Sequence, residues 1–334
     1  MEKGELIPIM HNETKFNRKT LPFLQQKKYD VLRKGFAEQK RSIKLQEKDI
    51  SVISSIIDLI KLDCPEIYYV DNATISTFSS SSFSTVEPQY TRRKDEIEIL
   101  NKQIEDIGLR VISRITSMDE WHVLLYIHDL ICKMVVYEDT CKDAHTVIGA
   151  LINKRAVCDG ISKAFKFFCD RTGITCCIVS GKAKRSYESP VLESHAWNKV
   201  MINGMWFNVD VTFDLTIGDG DFIRHDYFLV SDQSIAMSHT EDQIRYPATT
   251  TGQDYYTVNN LLMNTQKDLM DFAKDNYTRG NRCFEVKLPS TQNIDLVEEK
   301  VLKAILAALE HQKTVLNTEI YSNKDMLVFG VNIS

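Results

Sequence analysis

The sequence predicts an α+β fold, because three patterns coexist: helical periodicity over the first third, an antiparallel hairpin near the middle, and a helix–strand–helix–strand order at the end. In the first third, Tyr29, Leu32 and Phe36, then Ile50, Ile53, Ile56, Ile57 and Ile60, recur at three- and four-residue steps. Residues 63–65 end that run, and 67–70 read as a short strand. The Ser-rich stretch 76–84 suits an exposed loop or a weak edge strand. Another helix is expected over 94–115, with Ile97, Leu100, Ile104, Ile107 and Val111 on one face. Ser117, with Glu120 three residues on, has the form of a capping box opening a further helix through Val135.

The hairpin is carried by two strand-like runs, 195–202 and 205–211, joined by Asn203-Gly204, the residue pair best suited to a two-residue turn. Further on, 258–276 and 296–312 have helical patterns, while 283–288 and 326–333 read as strands. A mild composition shift at 249–252 suggests three parts: a mostly helical N-terminal region (1–115), a central core (116–248) and a small α/β C-terminal segment (249–334).

Composition narrows the function classes. At 334 residues, 43% hydrophobic and 26% charged, the chain can bury one large core or two ordinary ones. A net charge of -5 gives no electrostatic footprint for nucleic acid or an anionic membrane. No apolar run of signal-peptide length opens the sequence and none approaches a membrane span, so a cytoplasmic protein is expected unless a leader has been removed. The 8 cysteines form no C-x-x-C pair. Reduced thiols are expected, with no structural zinc, no other metal and no cofactor. His128, His145 and His225 lack metal-ligand spacing and read as structural.

Chemistry concentrates between 140 and 235. Cys158 follows Arg155-Ala156-Val157 and precedes a helical stripe of Ile161, Ala164, Phe165 and Phe168 that Gly173 stops. Its sulfur therefore sits at a helix N-terminus, where unbonded N–H groups and the helix dipole favour a thiolate and can hold an oxyanion. Asp159 is expected to cap that helix. A lone cysteine is more often an inert core residue, and Cys169, Cys176 and Cys177 read that way. The hairpin sets Cys158 apart. With a two-residue turn at 203–204, Trp197 faces Asp210 and His195 faces Thr212, which makes His195 and Asp210 diagonal neighbours on one face. Ala196, Val200, Ile202, Phe207, Val209 and Val211 form the opposite, core face, with Asn198 its one polar member. A lone strand histidine is more often structural and Asp210 could merely cap a turn, but together Cys158, His195 and Asp210 are the candidate nucleophile, base and orienting acid. Asp214 is a weaker candidate acid, expected to brace the following loop.

Four blocks then resemble a known family: Gly149-Ala150-Leu151, Ala156-Val157-Cys158-Asp159-Gly160, Ser194-His195-Ala196-Trp197-Asn198, and the run Trp206-Phe207-Asn208-Val209-Asp210-Val211-Thr212-Phe213-Asp214. Their order and intervals are similar to the transglutaminase-like superfamily, especially its bacterial members. The resemblance implies a papain-like core in which the cysteine heads a helix packed on an antiparallel sheet, with the nucleophile, base and acid falling on Cys158, His195 and Asp210. It implies an acyl-thioester enzyme without choosing the reaction. The zinc-binding cysteine pairs of the family's deglycosylating branch and a convincing calcium site are both absent from the sequence.

The expected function is a cysteine-dependent amide or peptide hydrolase acting through a thioester on a protein or peptide substrate. The alternatives are a protein-glutamine transglutaminase, or a non-catalytic peptide-binding module, whose hallmark would be a lost triad member. Tyr137 and Trp121 are candidate oxyanion donors beside the Cys158 N–H, though Trp121 lies in a helical pattern that favours the core. Trp197 is expected to wall the substrate groove.

Overall fold

The apolar steps of the first third do form helices, but they pack on a small sheet. In the computed structural model, which describes residues 15–77, 82–184, 191–218, 222–243, 246–289, 303, 305–307 and 318–333, α1 (Phe16–Thr20), α2 (Phe23–Ala37) and α3 (Ile50–Asp63) share a core with β1 (Ile43–Leu45), β2 (Val70–Thr77) and β3 (Ser84–Tyr90). The strand order is β1-β3-β2, all antiparallel. The N-terminal region is therefore less purely helical than its periodicity suggested. Pro88 hides β3 in the sequence, since proline argues against a strand; it lies beyond the three residues paired with β1. Residues 65–67 form a single 3₁₀ turn, with the strand starting at Val70. Ser76 and Thr77 belong to β2 and Ser84 to β3, while 78–81 lie outside the described residues.

One buried carboxylate organises these helices. Asp63 accepts hydrogen bonds from the Asn17 backbone and side chain on Oδ1, and from Arg18 N and the Tyr29 hydroxyl on Oδ2. Four donors offset its desolvation.

α4 (Lys94–Ile115) has the expected bounds and buries Ile97, Ile104 and Val111. α5 (Glu120–Met134) is capped by Asp119, which accepts from His122 N at 3.0 Å, and not by Ser117. Residues 116–118 are used up turning the chain out of α4. A short parallel pair, β4 (Val136–Tyr137) with β5 (Arg155–Ala156), precedes α6 (Cys158–Thr172).

The principal sheet comprises β6 (Cys176–Lys184), β7 (Leu192–Ile202), β8 (Met205–Val209), β9 (Phe228–Val230) and β10 (His239–Glu241), in the order β10-β6-β7-β8-β9. α7 (Val211–Ile217) follows β8, and α8 (Asp232–Ile235) follows β9. Asn203 and Gly204 have φ of 51° and 77°, the left-handed pair of the expected two-residue turn. Two expectations change here. The second strand stops at Val209, so Thr212 is helical and faces no strand partner. β7 is also buried on both faces: Ala196, Trp197, Asn198, Lys199 and Val200 are all buried in succession, so in/out alternation does not describe it.

Compactness groups the chain into two units, Met1–Ser180 with Ala196–Trp206 and Asp210–Ile223, and Gly181–His195 with Phe207–Val209 and Arg224–Ser334. The second contains α9 (Tyr255–Val258), α10 (Gln266–Thr278) and a sheet of β11 (Cys283–Lys287), β12 (Thr318–Asn323) and β13 (Val328–Ile333) in the order β11-β13-β12. Leu269, Ala273, Phe284, Val286, Phe329 and Val331 form its core. The helix expected over 258–276 is shorter, because α10 begins only at Gln266 under a Thr265–Asp268 capping box; the separate turn α9, capped by Asp254, ends at Val258 where the expected helix would have begun. The helix expected over 296–312 lies mostly outside the described residues. Arg224 is buried with Asp226 at 2.9 Å and Glu285 at 2.7 Å, and the Tyr256 hydroxyl lies within hydrogen-bond reach of both carboxylates. The mixed composition of helices and antiparallel sheets is the α+β class read from the sequence.

Candidate active site

The helix that carries Cys158 is fixed by sequence features already visible in the chain. Ile161, Ala164, Phe165 and Phe168 are buried along its stripe, and Gly173 ends it at φ 79°, a left-handed conformation that glycine adopts without strain. Gly160 serves close approach: a Cβ there would overlap the Ala144 carbonyl oxygen. That same carbonyl accepts from Val157 N at 3.1 Å, so the segment before the helix is pinned at its first turn. Gly149 plays a parallel role against the Asp143 carbonyl.

Cys158 is the first helical residue and is half-buried. Val157 precedes it in extended conformation and, among the described residues, no side chain caps the helix. Asp159, expected as the cap, is instead held by Lys163 one turn along at 2.7 Å, with the exposed His145 ring at 3.9 Å. An i,i+4 pair competes successfully for a carboxylate whose own position is already inside the helix. The Lys163 ammonium also donates to the His145 carbonyl at 2.9 Å.

The other end of α6 is held by charge. Lys166 and Asp170 pair at 2.9 Å inside the protein, and Lys15 reaches the second Asp170 oxygen at 2.9 Å and the Asp63 carbonyl at 2.8 Å. Burial alone would push both ammonium groups toward neutrality. Asp170 beside Lys166, and Glu66 and Asp170 around Lys15, outweigh it and keep both protonated.

No cysteine is disulfide-bonded. Burial pushes the Cys64 thiol up to about 12 and raises Cys132, Cys176 and Cys177 as well, so these sulfurs stay protonated and inert. Cys169, Cys176 and Cys177 are core residues, as their pattern predicted.

Asp210 is buried at the junction of β8 and α7, where Oδ1 accepts from Thr212 N at 2.9 Å and Phe213 N at 3.1 Å. The carboxylate is therefore the N-cap of α7, which fixes its plane. Its location differs from the exposed strand face expected for it. Asp214, expected to brace a loop, is fully buried within α7 and lies 3.0 Å from His128 Nε2, with Asp129 at 3.0 Å from the other ring nitrogen. Burial by itself disfavours a charged His128. Hydrogen bonds to Asp129 and Asp214 reverse that and raise it well above the usual histidine value.

His195 is half-buried in β7. Its ring meets that of His239 edge to face, with centroids 5.4 Å apart. His239 is buried and bonded through Nδ1 to Ser238 Oγ at 2.8 Å, which lies 3.2 Å from the Tyr227 hydroxyl. Sequence reading missed this second imidazole; Ser238-His239-Thr240 has no spacing that singles it out. Ala196, one residue past His195, is tied to α6, its carbonyl lying 2.9 Å from Ser162 Oγ. Tyr137 is 46% exposed in β4, whereas Trp197 is only 1% exposed. Trp197 is thus a core residue and not an open groove wall, because β7 is covered on both faces. Trp121 is buried as well, in keeping with its helical pattern.

With this arrangement in view, residues 111–211 match the profile of the transglutaminase-like superfamily. The match is to that superfamily's core and covers less than half of the chain. The matched segment takes in Cys158, His195 and Asp210. Among solved structures, a candidate cysteine protease from Cytophaga hutchinsonii is 15% identical over 56% of this chain and 68% of that one, with a TM-score of 0.31. A TGase is 11% identical over 51% of this chain and 50% of its own, with a TM-score of 0.30. A candidate protease from Parabacteroides distasonis is 8% identical over 42% and 36%, with a TM-score of 0.25. This chain therefore spans half or less of the last two. No curated protein matches it in sequence.

Proposed function

We propose that the protein is a cysteine-dependent hydrolase of amide or peptide bonds, with Cys158 as nucleophile, His195 as general base and acid, and Asp210 as the group that orients His195. The observation that carries this reading is the start of α6: a half-buried cysteine at the first helical position, beside backbone N–H groups that no side chain among the described residues caps. Among the described helices, α3, α5, α7, α8, α9 and α10 each spend a donor on an Asp, Ser or Thr cap. α6, like α1, α2 and α4, does not, and its first-turn N–H groups stand beside a cysteine, where they can meet a developing oxyanion.

In the proposed cycle the Cys158 thiolate adds to the substrate carbonyl, and negative charge moves to its oxygen near the N–H groups of the first turn. As the tetrahedral adduct collapses, the C–N bond breaks and imidazolium His195 gives its proton to the departing amine. Neutral His195 then takes a proton from water as that water attacks the thioester. The acid product leaves and the thiol is restored. Asp210, with Oδ1 held by two backbone donors, offers Oδ2 to steady the imidazole and its positive charge. The substrate class is a protein or peptide.

A glutamine-containing peptide incubated with a labelled primary amine tests the reading. Glutamate or cleaved peptide, formed by the parent and not by Cys158→Ala, is the expected result. Amine incorporated into the peptide would replace hydrolysis by acyl transfer, the transglutaminase alternative. No product of either kind, with Cys158 as inert as the buried thiols, would overturn both.

A further inference from the structure

Asn198 is the one polar side chain on an otherwise apolar set of β7 positions, and the catalytic proposal leaves it without a task. It is 1% exposed, and Ser162, one turn after Cys158 on α6, is 2% exposed. The two are joined. Asn198 Nδ2 donates to the Ser162 carbonyl at 3.1 Å and also lies 3.4 Å from the Cys177 carbonyl and 3.5 Å from Cys176 Sγ. In the opposite direction, Ser162 Oγ lies 2.9 Å from the Ala196 carbonyl and 2.8 Å from that of Cys158. One hydroxyl proton is shared between the carbonyl of the nucleophile and the carbonyl next to the base.

We propose that Ser162 and Asn198 are positioning residues that set the thiol of Cys158 in reach of the imidazole of His195, an inference that rests on the roles proposed for those two residues above. A serine bonded only to the carbonyl four residues back would be an ordinary local feature of a helix. The bond to Ala196 makes it a link between helix and strand. Buried hydroxyl and amide groups cost desolvation that an apolar pair would not incur. Their return is direction: apolar packing tolerates sliding, whereas these two bonds fix the place of β7 along α6. A slip of one residue along the strand, about 3.3 Å, breaks both. Cys158 sits four residues before Ser162, and His195 one residue before Ala196, so thiol and imidazole inherit that register.

The test uses the full chain and the alkylation rate of Cys158 with an iodoacetamide probe, followed by peptide mass spectrometry from pH 5 to 9, together with the thermal midpoint. The parent profile has an acidic limb, where a thiol paired with imidazole reacts while the exposed Cys283 does not. Ser162→Ala removes one oxygen and is expected to fold; its Cys158 rate at pH 6 falls about tenfold or more, the scale expected when reacting groups move by a fraction of an ångström. Ser162→Thr, which keeps the hydroxyl, restores the acidic limb. If Ser162→Ala does not fold, Asn198→Leu, of similar volume, is read in its place. A folded variant with the parent profile overturns the proposal, as does a loss that merely follows the unfolded fraction at every pH. His195→Ala separates the two levels. If it removes the acidic limb and Ser162→Ala does not, only the positioning role fails; if His195→Ala leaves the limb intact, the catalytic roles fail and the positioning role with them.

Discussion

The first and last turns of α6 are secured by opposite means. At the last turns, Lys166, Asp170 and Lys15 form a buried network of charges. At the first, a close-packed glycine, a backbone bond from Val157 and the Ser162–Asn198 pair hold the helix, and the carboxylate next in sequence to Cys158, Asp159, is paired with Lys163. Lys166 is eight residues beyond Cys158, about 12 Å along a helix rising 1.5 Å per residue. The buried charge network is thus set apart along the helix from the thiol and its neighbouring N–H groups. The helix is anchored at one end and kept chemically open at the other.

Four substitutions bear on that contrast. The largest effect belongs to the open end: Cys158→Ala should reduce hydrolysis of a responsive peptide by roughly 10⁴-fold or more, with a urea midpoint close to the parent's. A large shift in midpoint would mean that Cys158 is a packing residue. At the anchored end, Asp170→Ala leaves two buried ammonium groups without their shared carboxylate and should cost about 3–5 kcal/mol in urea unfolding. The reactivity of Cys158 in the folded fraction should be retained; its loss would show that the two ends are not independent.

Gly160→Ala probes both properties together, because its Cβ meets the Ala144 carbonyl at the first turn. A loss of about 1–3 kcal/mol is expected from overpacking, accompanied by slower alkylation of Cys158. The smallest effect lies away from α6. His128 has a raised folded pKa, so the stability it contributes is fully present below the usual histidine pKa of about 6.5 and is lost as pH rises through the raised value, with a slope of at most about 1.4 kcal/mol per pH unit. Comparing parent and His128→Gln across the neutral-to-alkaline range should show that decline in the parent alone. An identical pH dependence in both would contradict the charged His128–Asp214 pair.

Much of the helix that begins at Cys158 was legible in the sequence, because its stripe, its Gly173 stop and its start are local signals. The turn at Asn203-Gly204 was legible for the same reason. The burial around His195 and Asp210 was not, since the alternation argument assumes one wet face and residues 196–200 of β7 are buried without a break. Asp210 looked like a strand residue because it falls in the strand-like run 205–211, whose polar members are Asn208 and Asp210 itself; only the bonds it receives from Thr212 and Phe213 reveal a helix cap. Long-range partners such as Lys15 with Asp170, 155 residues apart, carry no local signature at all. His239 falls in the same class, as its contact with His195 depends on a fold-level meeting of distant segments.

The most direct test of the central claim is a competition within one molecule: a limiting iodoacetamide probe at pH 6, with modification of each cysteine quantified by mass spectrometry. Cys283 is exposed and Cys158 only half-buried, so access alone favours Cys283. A nucleophile activated by His195 reverses that order. Cys158 should be labelled first in the parent, and Cys283 should overtake it in His195→Ala. Labelling of Cys283 ahead of Cys158 in the parent would contradict the assignment of Cys158 as the nucleophile.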